Sequence, residues 1–201
     1  MSKYVAWSLL DQLRANEEQV LKGIDVIQPV LFAIEVALAA LWRSWGIEPD
    51  AVVGHSMGEV AAAYVAGALS LDDAAWIICA RSKLLLRTSG KGAMAVVELP
   101  LEQAKVIVSD YAERVSVAVN NSPRSTVLSG DPEALAEILE MLTDNSVFGR
   151  LINVDVASHS PQMDQLHDDL LKLMEHVQPH STLVPMHSTV HGGIIDGSEL
   201  T

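Results

Sequence analysis

Ser56 stands at the centre of Gly54-His55-Ser56-Met57-Gly58, between the apolar run Ala51-Val52-Val53 and an alanine-rich stretch from Glu59 to Leu69. That order predicts a strand, a sharp turn and a helix with a hydroxyl at the apex, the arrangement of a nucleophile elbow. Glycines two residues either side of the serine relieve crowding where the chain reverses. The helix behind it offers backbone N–H groups and the positive end of its dipole to any oxyanion that forms there. These residue types suit nucleophilic catalysis. An inert tight turn is the alternative reading of the same five residues.

A serine hydroxyl is a weak nucleophile at neutral pH and needs a base within hydrogen-bond reach. Seven histidines compete for that role. His159 is favoured, because Val156-Ala157-Ser158-His159-Ser160-Pro161 falls where a predicted strand gives way to a helix, the edge on which the elbow also lies. A core or capping histidine is the other reading at that position. His176, His180, His187 and His191 fall in polar helix-end or loop contexts, and His167 sits on an acidic helix face beside Asp168 and Asp169. His55 adjoins the serine, but strand alternation turns it away.

Arg81 is the second unusual residue. It lies within Ala74-Ala-Trp-Ile-Ile-Cys-Ala-Arg-Ser-Lys-Leu-Leu-Leu86, a helix apolar on most faces, where an unpaired guanidinium is costly to bury. Something anionic should meet it. A protein carboxylate such as Glu59 would serve, and so would a substrate carboxylate held by two parallel N–H bonds. Spacing alone leaves both open.

The elements that must position these groups read as an α/β chain. Residues 6–20 predict a polar helix, and Asp25 to Trp45 a strongly apolar one with Pro29 in its first turn, ended by Gly46 and Pro49. After the elbow helix, Ser70 is the predicted N-cap of a helix running to about Thr88, with Asp72 and Asp73 in its first turn. Such alternation predicts parallel strands with crossover helices. The texture changes at Ser89-Gly-Lys-Gly92. Met94 to Leu99, Val115 to Asn120, Thr126 to Ser129 and Arg150 to Val156 read as strands, with helices at Leu101 to Tyr111 and Asp131 to Thr143. That order, βαββαβ, is the split βαβ pattern of a ferredoxin-like unit. The chain therefore divides into a hydrolase-like parallel-sheet subdomain, residues 1–91 and 157–201, and an inserted ferredoxin-like subdomain, residues 92–156. A helix over Ser160 to Val177 and a strand over Leu183 to Val190 return to the first subdomain.

Composition narrows the function classes. With 49% hydrophobic and 19% charged residues the 201-residue chain can bury a sizeable core. A formal net charge of −13 with no basic cluster argues against nucleic acid. The lone Cys79, in an apolar helical run, reads as a small buried hydrophobe in a reducing compartment. No signal peptide is legible and no apolar run reaches membrane-spanning length, the nearest being broken by Glu35 and Arg43, so a cytosolic protein without membrane insertion is expected.

Several separate blocks then share one likeness. Ile27-Gln28-Pro29-Val30-Leu31-Phe32-Ala33, Val53-Gly-His-Ser-Met-Gly-Glu59, Ala80-Arg81-Ser82, Gly92-Ala-Met-Ala95, Ala118-Val-Asn-Asn121 and Val156-Ala-Ser-His159 occur in the order and approximate spacing of the acyltransferase domains of modular polyketide synthases. Such domains are similar to the malonyl-CoA:acyl carrier protein transacylases of fatty acid synthesis. The likeness covers essentially the whole chain, and it implies the two-subdomain architecture read above.

The resemblance implies a ping-pong transfer. Ser56 attacks the thioester of an acyl-CoA with His159 as general base, and the backbone N–H of Met57 meets part of the oxyanion. Arg81 grips the free carboxylate of a malonyl-type extender. The phosphopantetheine thiol of an acyl carrier protein then accepts the acyl group, so no resident cofactor or metal is expected. The partners are the carrier protein and other synthase domains such as a ketosynthase. Gln28, His55, Met57, Ser158 and Val156 complete the substrate-binding set. Ser158, where malonyl-selective relatives commonly carry phenylalanine, leaves room for an α-methyl group; Met57 and the stretch Ile24 to Gln28 also resemble the methylmalonyl-selective branch. Val156 departs from that branch's usual tyrosine, which leaves larger extenders open.

The same alignment implies truncation at both ends. Such domains open with a Gly-Gln-Gly segment whose glutamine completes the oxyanion hole, and they continue beyond Asp196-Gly-Ser-Glu-Leu200 into a segment that orients the histidine. Three readings follow: a working acyltransferase domain, a catalytically inactive piece of one, and an unrelated serine hydrolase or thioesterase. The last leaves Arg81 unexplained and has no convincing acid between Ser56 and His159.

Overall fold

In the computed structural model, which describes every residue except 20, 21, 112 and 201, Ser8 accepts a hydrogen bond from the N–H of Asp11 and starts a helix of only six residues, α1 (Leu9–Arg14). The polar helix predicted over 6–20 stops there because the Asn16 side chain accepts from the N–H groups of Glu18 and Gln19, a local turn that competes with helix; its last position, Val20, lies outside the described residues. The apolar helix forms as expected, α2 (Ile24–Ser44). Pro29 is its sixth residue, in the second turn and not the first, so it does remove one i→i−4 bond. It nevertheless sits on the inward face with Val26 and Phe32. Contrary to expectation, α2 is long and apolar enough by length and composition to cross a membrane, despite Glu35 and Arg43. Its inner face packs instead on two further helices.

Strand β1 (Val52–Gly54) leads through the elbow into α3 (Gly58–Ala66), and Ser70 caps α4 (Leu71–Leu85) by accepting from the N–H of Asp73 at 3.0 Å, with one 3₁₀ turn following. Helices α2, α3 and α4 pack pairwise. Alanines 61, 62, 63 and 66 let α3 lie close against Phe32 and Ile78, which are fully buried.

The chain from Arg87 to Asp169 forms a second unit with its own core. Its elements are β2 (Ala93–Val97), α5 (Leu101–Ser109), β3 (Val115–Ser122), β4 (Ser125–Gly130), α6 (Pro132–Asp144) and β5 (Gly149–Leu151). The βαββαβ order makes an antiparallel sheet ordered β3-β4-β2-β5. Alternate residues of β2, Ala93, Ala95 and Val97, are buried in one cluster with Ala104 of α5 and Leu135 and Ile138 of α6. The strand predicted to reach Val156 ends at Leu151. Ile152 still donates to the Met94 carbonyl at 2.8 Å, after which the chain leaves the sheet. This unit runs past the expected limits of 92 and 156 at both ends. Gly90 N–H donates to the Asp155 carbonyl, Ser89 bonds the Asp155 carboxylate and Arg87 pairs with Asp169, so both flanks are tied to one another.

Where one helix was predicted from Ser160 to Val177, a 3₁₀ stretch over Pro161–Leu166 precedes α7 (His167–Met174). The unit made of Met1–Leu86 and Leu170–Thr201 then gains β6 (Met186–Ser188) and β7 (Gly193–Ile195). β1 pairs with β6 in parallel, as expected, while β7, which the sequence did not reveal, adds antiparallel to give the order β1-β6-β7. The strand predicted over Leu183 to Val190 is short because its flanks bond elsewhere. Leu183 N–H donates to the Ala66 carbonyl at 2.7 Å, and the Ser188 hydroxyl accepts from the N–H groups of Val190 and His191.

Asp131 caps α6 by accepting from the Ala134 N–H and also meets Arg114, and these bonds hold its carboxyl below the ordinary value. A depressed folded value means the contribution is fully present above the unfolded value of about 3.9 and is lost as pH falls through the lower folded one. Urea unfolding of Asp131→Ala is therefore expected to show a lower midpoint than the parent at pH 7, and a difference that shrinks below about pH 4.

Candidate active site

The predicted elbow is present and sterically tight. A Cβ on Gly54 would lie 2.1 Å from the Gly58 carbonyl oxygen and 2.5 Å from the Glu59 nitrogen, so only glycine fits where strand and helix pass. Gly58 is different: a Cβ there would meet Glu35 Oε1 at an ordinary 3.9 Å, and its smallness is not what the turn requires. Ser56 is pushed to φ 53°, the left-handed region that a side chain enters at a cost of order 1–3 kcal/mol. Gly58, Glu59 and Val60 donate back to the carbonyls of His55, Ser56 and Met57 at 2.9–3.1 Å, which closes the first turn of α3 directly behind the serine. Met57 packs on the core of this unit, and His55 is exposed.

Arg81 of α4 finds a partner, but not the carboxylate named as one option. Its Nη1 donates to Oε1 of Gln28 on α2 at 2.5 Å. Glu59 faces elsewhere: its Oε1 accepts from the N–H and the hydroxyl of Thr189, each at 2.7 Å. Among the described residues none of the ion pairs includes Arg81. Burial pushes its guanidinium down from the usual arginine value, and no carboxylate offsets that. A neutral amide leaves the positive charge uncompensated, which is the electrostatic condition for holding an anionic ligand group. Sequence reasoning had Gln28 as a substrate contact and missed that it orients the arginine. The available signal was a lone amide inside an apolar helix.

The second unit holds His159, Ser158 and Val156 as one local group. His159 is exposed and has φ 59°, making it, with Ser56 and Ser146, one of three non-glycine residues of positive φ among those described. The turn is braced from below. Ser160 Oγ donates to the Ala157 carbonyl at 2.7 Å and accepts from the Gln162 N–H, and a Cβ on Gly92 would fall 2.4 Å from the Ala157 nitrogen. Ser158 is half-buried, whereas Val156 is only 1% exposed and lies in the interior. Two of the rival imidazoles are engaged elsewhere: His176 stacks edge-on against Trp76, and His167 Nδ1 lies 3.0 Å from an Asp168 oxygen.

The chain as a whole matches a known family. Residues 1–200 match the model of the acyl transferase domain. The chain belongs to that family. It is 47% identical over 200 residues to the polyketide synthase GfsB of Streptomyces halstedii, a match covering 99% of this chain and 4% of that protein. Among solved structures, the acyltransferase domain from module 8 of the salinomycin polyketide synthase matches with a TM-score of 0.95 at 43% identity, over 99% of this chain and 47% of the other. The malonyl CoA-acyl carrier protein transacylase of Coxiella burnetii matches at 0.91 and 28% identity, over 99% and 65%. The chain thus spans a small fraction of its curated relatives and about half to two thirds of these solved ones.

The one thiol in the sequence does not compete with the Ser56 hydroxyl as a candidate nucleophile. Cys79 is buried, and loss of hydration pushes its thiol up to about 11, so it stays protonated at neutral pH. Replacing Ser56 by glycine is expected to relieve the left-handed strain; net of glycine's greater unfolded-state freedom, the variant should be about 0.5–1 kcal/mol more stable than Ser56→Ala in denaturant melts.

Proposed function

We propose that this domain transfers a malonyl-type acyl group from coenzyme A to the phosphopantetheine thiol of an acyl carrier protein, through an ester on Ser56. The observation that carries the reading is Arg81: a largely desolvated guanidinium whose partner is a neutral amide, on a helix that packs against the elbow helix. A substrate carboxylate supplies the missing anion, which favours malonyl-type acids over simple acyl groups. The half-buried Ser158 is compatible with an α-methyl group.

In the first half-reaction Ser56 Oγ attacks the thioester carbon, its proton passes to the imidazole of His159, and the coenzyme A thiolate leaves and takes up a proton. The oxyanion is met by the N–H of Met57 at the head of α3. In the second, the carrier's thiol attacks the ester and serine regains its proton. His159 is the imidazole used here as general base, on the family likeness and on its braced left-handed turn. The phosphopantetheine arrives on the carrier and no resident cofactor takes part. A cytoplasmic synthase, with a ketosynthase as neighbour, is the setting in which both thioesters occur.

The test is incubation of the chain with labelled methylmalonyl-CoA, followed by peptide mass spectrometry. A stable adduct on Ser56, absent in Ser56→Ala, is the expected result. A folded protein without adduct points to a catalytically inactive piece, and rapid release of free acid to a hydrolase. Arg81→Ala is expected to lower acylation by malonyl-type thioesters about 10- to 100-fold while leaving acetyl-CoA no worse a donor.

A further inference from the structure

We infer that Glu59 is a positioning residue for the nucleophile, clamping the elbow helix to the turn after β6; this rests on the reading of Ser56 given above. One carboxylate oxygen of Glu59 accepts two hydrogen bonds from a single residue, the N–H and the hydroxyl of Thr189, both at 2.7 Å. Thr189 directly follows Ser188, and Ser188 is the β6 residue paired in register with Gly54. The segment from Gly54 to Glu59 is therefore fixed at both ends to two consecutive residues of another chain segment. A closed ring results: along the backbone from Gly54 through Ser56 to Glu59, across to Thr189, and back through Ser188 to Gly54. Ser56 lies near its middle, in the one backbone conformation that a free chain would leave.

The far side of the ring is itself rigid. Ser188 Oγ accepts from the N–H groups of Val190 and His191, at 3.1 and 3.3 Å, and Gly192 N–H donates to the Ser188 carbonyl at 3.0 Å. Glu59 thus joins the strained turn to a pre-ordered one. The chemistry of the clamp needs an acceptor oxygen and not a charge.

That distinction gives the experiment. In the full chain, Glu59→Ala is expected to lower the rate constant of Ser56 acylation about tenfold, with KM for the acyl-CoA within about twofold, and Glu59→Gln, which keeps the acceptor, to recover most of it. Hydrogen exchange at the Thr189 amide should quicken about tenfold in Glu59→Ala and stay near the parent rate in Glu59→Gln. Unchanged acylation and exchange in Glu59→Ala, an effect on KM alone, or failure of glutamine to rescue would overturn the proposal. Should Glu59→Ala not fold, Thr189→Val, which deletes one of the two bonds, replaces it, with a several-fold loss of acylation expected and no loss overturning the clamp. If the parent chain forms no ester on Ser56, the functional reading fails while exchange at Thr189 still decides for or against the clamp.

Discussion

The reversal between β1 and α3 is the constraint on which the first unit depends. Strand and helix pass so closely that the space for a single methyl group on Gly54 is occupied by the backbone of Gly58 and Glu59. The turn cannot relax outward, because Gly54 is in the β1–β6 ladder and the first amides of α3 are already bonded to residues 55–57. Ser56 absorbs the misfit as a positive φ. The alanines of α3 extend the same logic into the core, since small side chains let the helix continue from the turn straight onto Phe32 and Ile78 without a bend. The geometry of the serine turn and core packing are thus one problem, solved by small residues beside a strained serine.

The electrostatics of this unit run against the charge balance of the whole chain. With a formal net charge of −13, carboxylates are abundant, yet they pair at the exposed surface, as Asp72 does with Lys3 and Glu48 with Arg43. Such exposed pairs contribute little to stability. Arg81, the cation with the most to gain from a counter-charge, has Gln28. A glutamate at position 28 would offset the cost of desolvation with a permanent anion. An amide meets the guanidinium through one N–H and brings no charge.

Helix α2 shows how average hydropathy misleads. It is long and apolar enough to cross a membrane, because apolar residues occupy its outer as well as its inner face: Ile27, Leu31, Ile34, Leu38, Leu41 and Trp42 are exposed, while Val26, Pro29 and Phe32 are buried. Averaging over faces adds both stripes together. What the helix does physically is set by specific bonds. Arg43 near its end donates to the Val65 carbonyl of α3 at 2.8 Å and to Glu48, and Gln28 near its start holds Arg81. Those contacts make α2 a structural neighbour of the elbow and the arginine.

What could be read from sequence was local. The elbow, the Ser70 cap and the βαββαβ order each depend on residues within a few positions of one another, and each formed at nearly the expected place. The second unit's element order was legible because its turns carry proline, glycine and aspartate between short apolar runs; the strand register, with its shifts between Val117 and Val119 and between Asn120 and Ser122, was not. The misses are long-range. β6 is short because Leu183 bonds the end of α3 and Ser188 captures two amides, and β7 exists because β6 offers an edge; neither fact lies in the residues of those strands. Glu59 is the sharpest instance. Its charge made it a natural counter-ion for Arg81, yet its two bonds go to a residue 130 positions away. The sequence pattern tells that a carboxylate stands in the first turn of α3, but only the parallel pairing of β1 with β6 brings Thr189 beside it. A residue's chemistry can be local while its assignment is a property of the sheet.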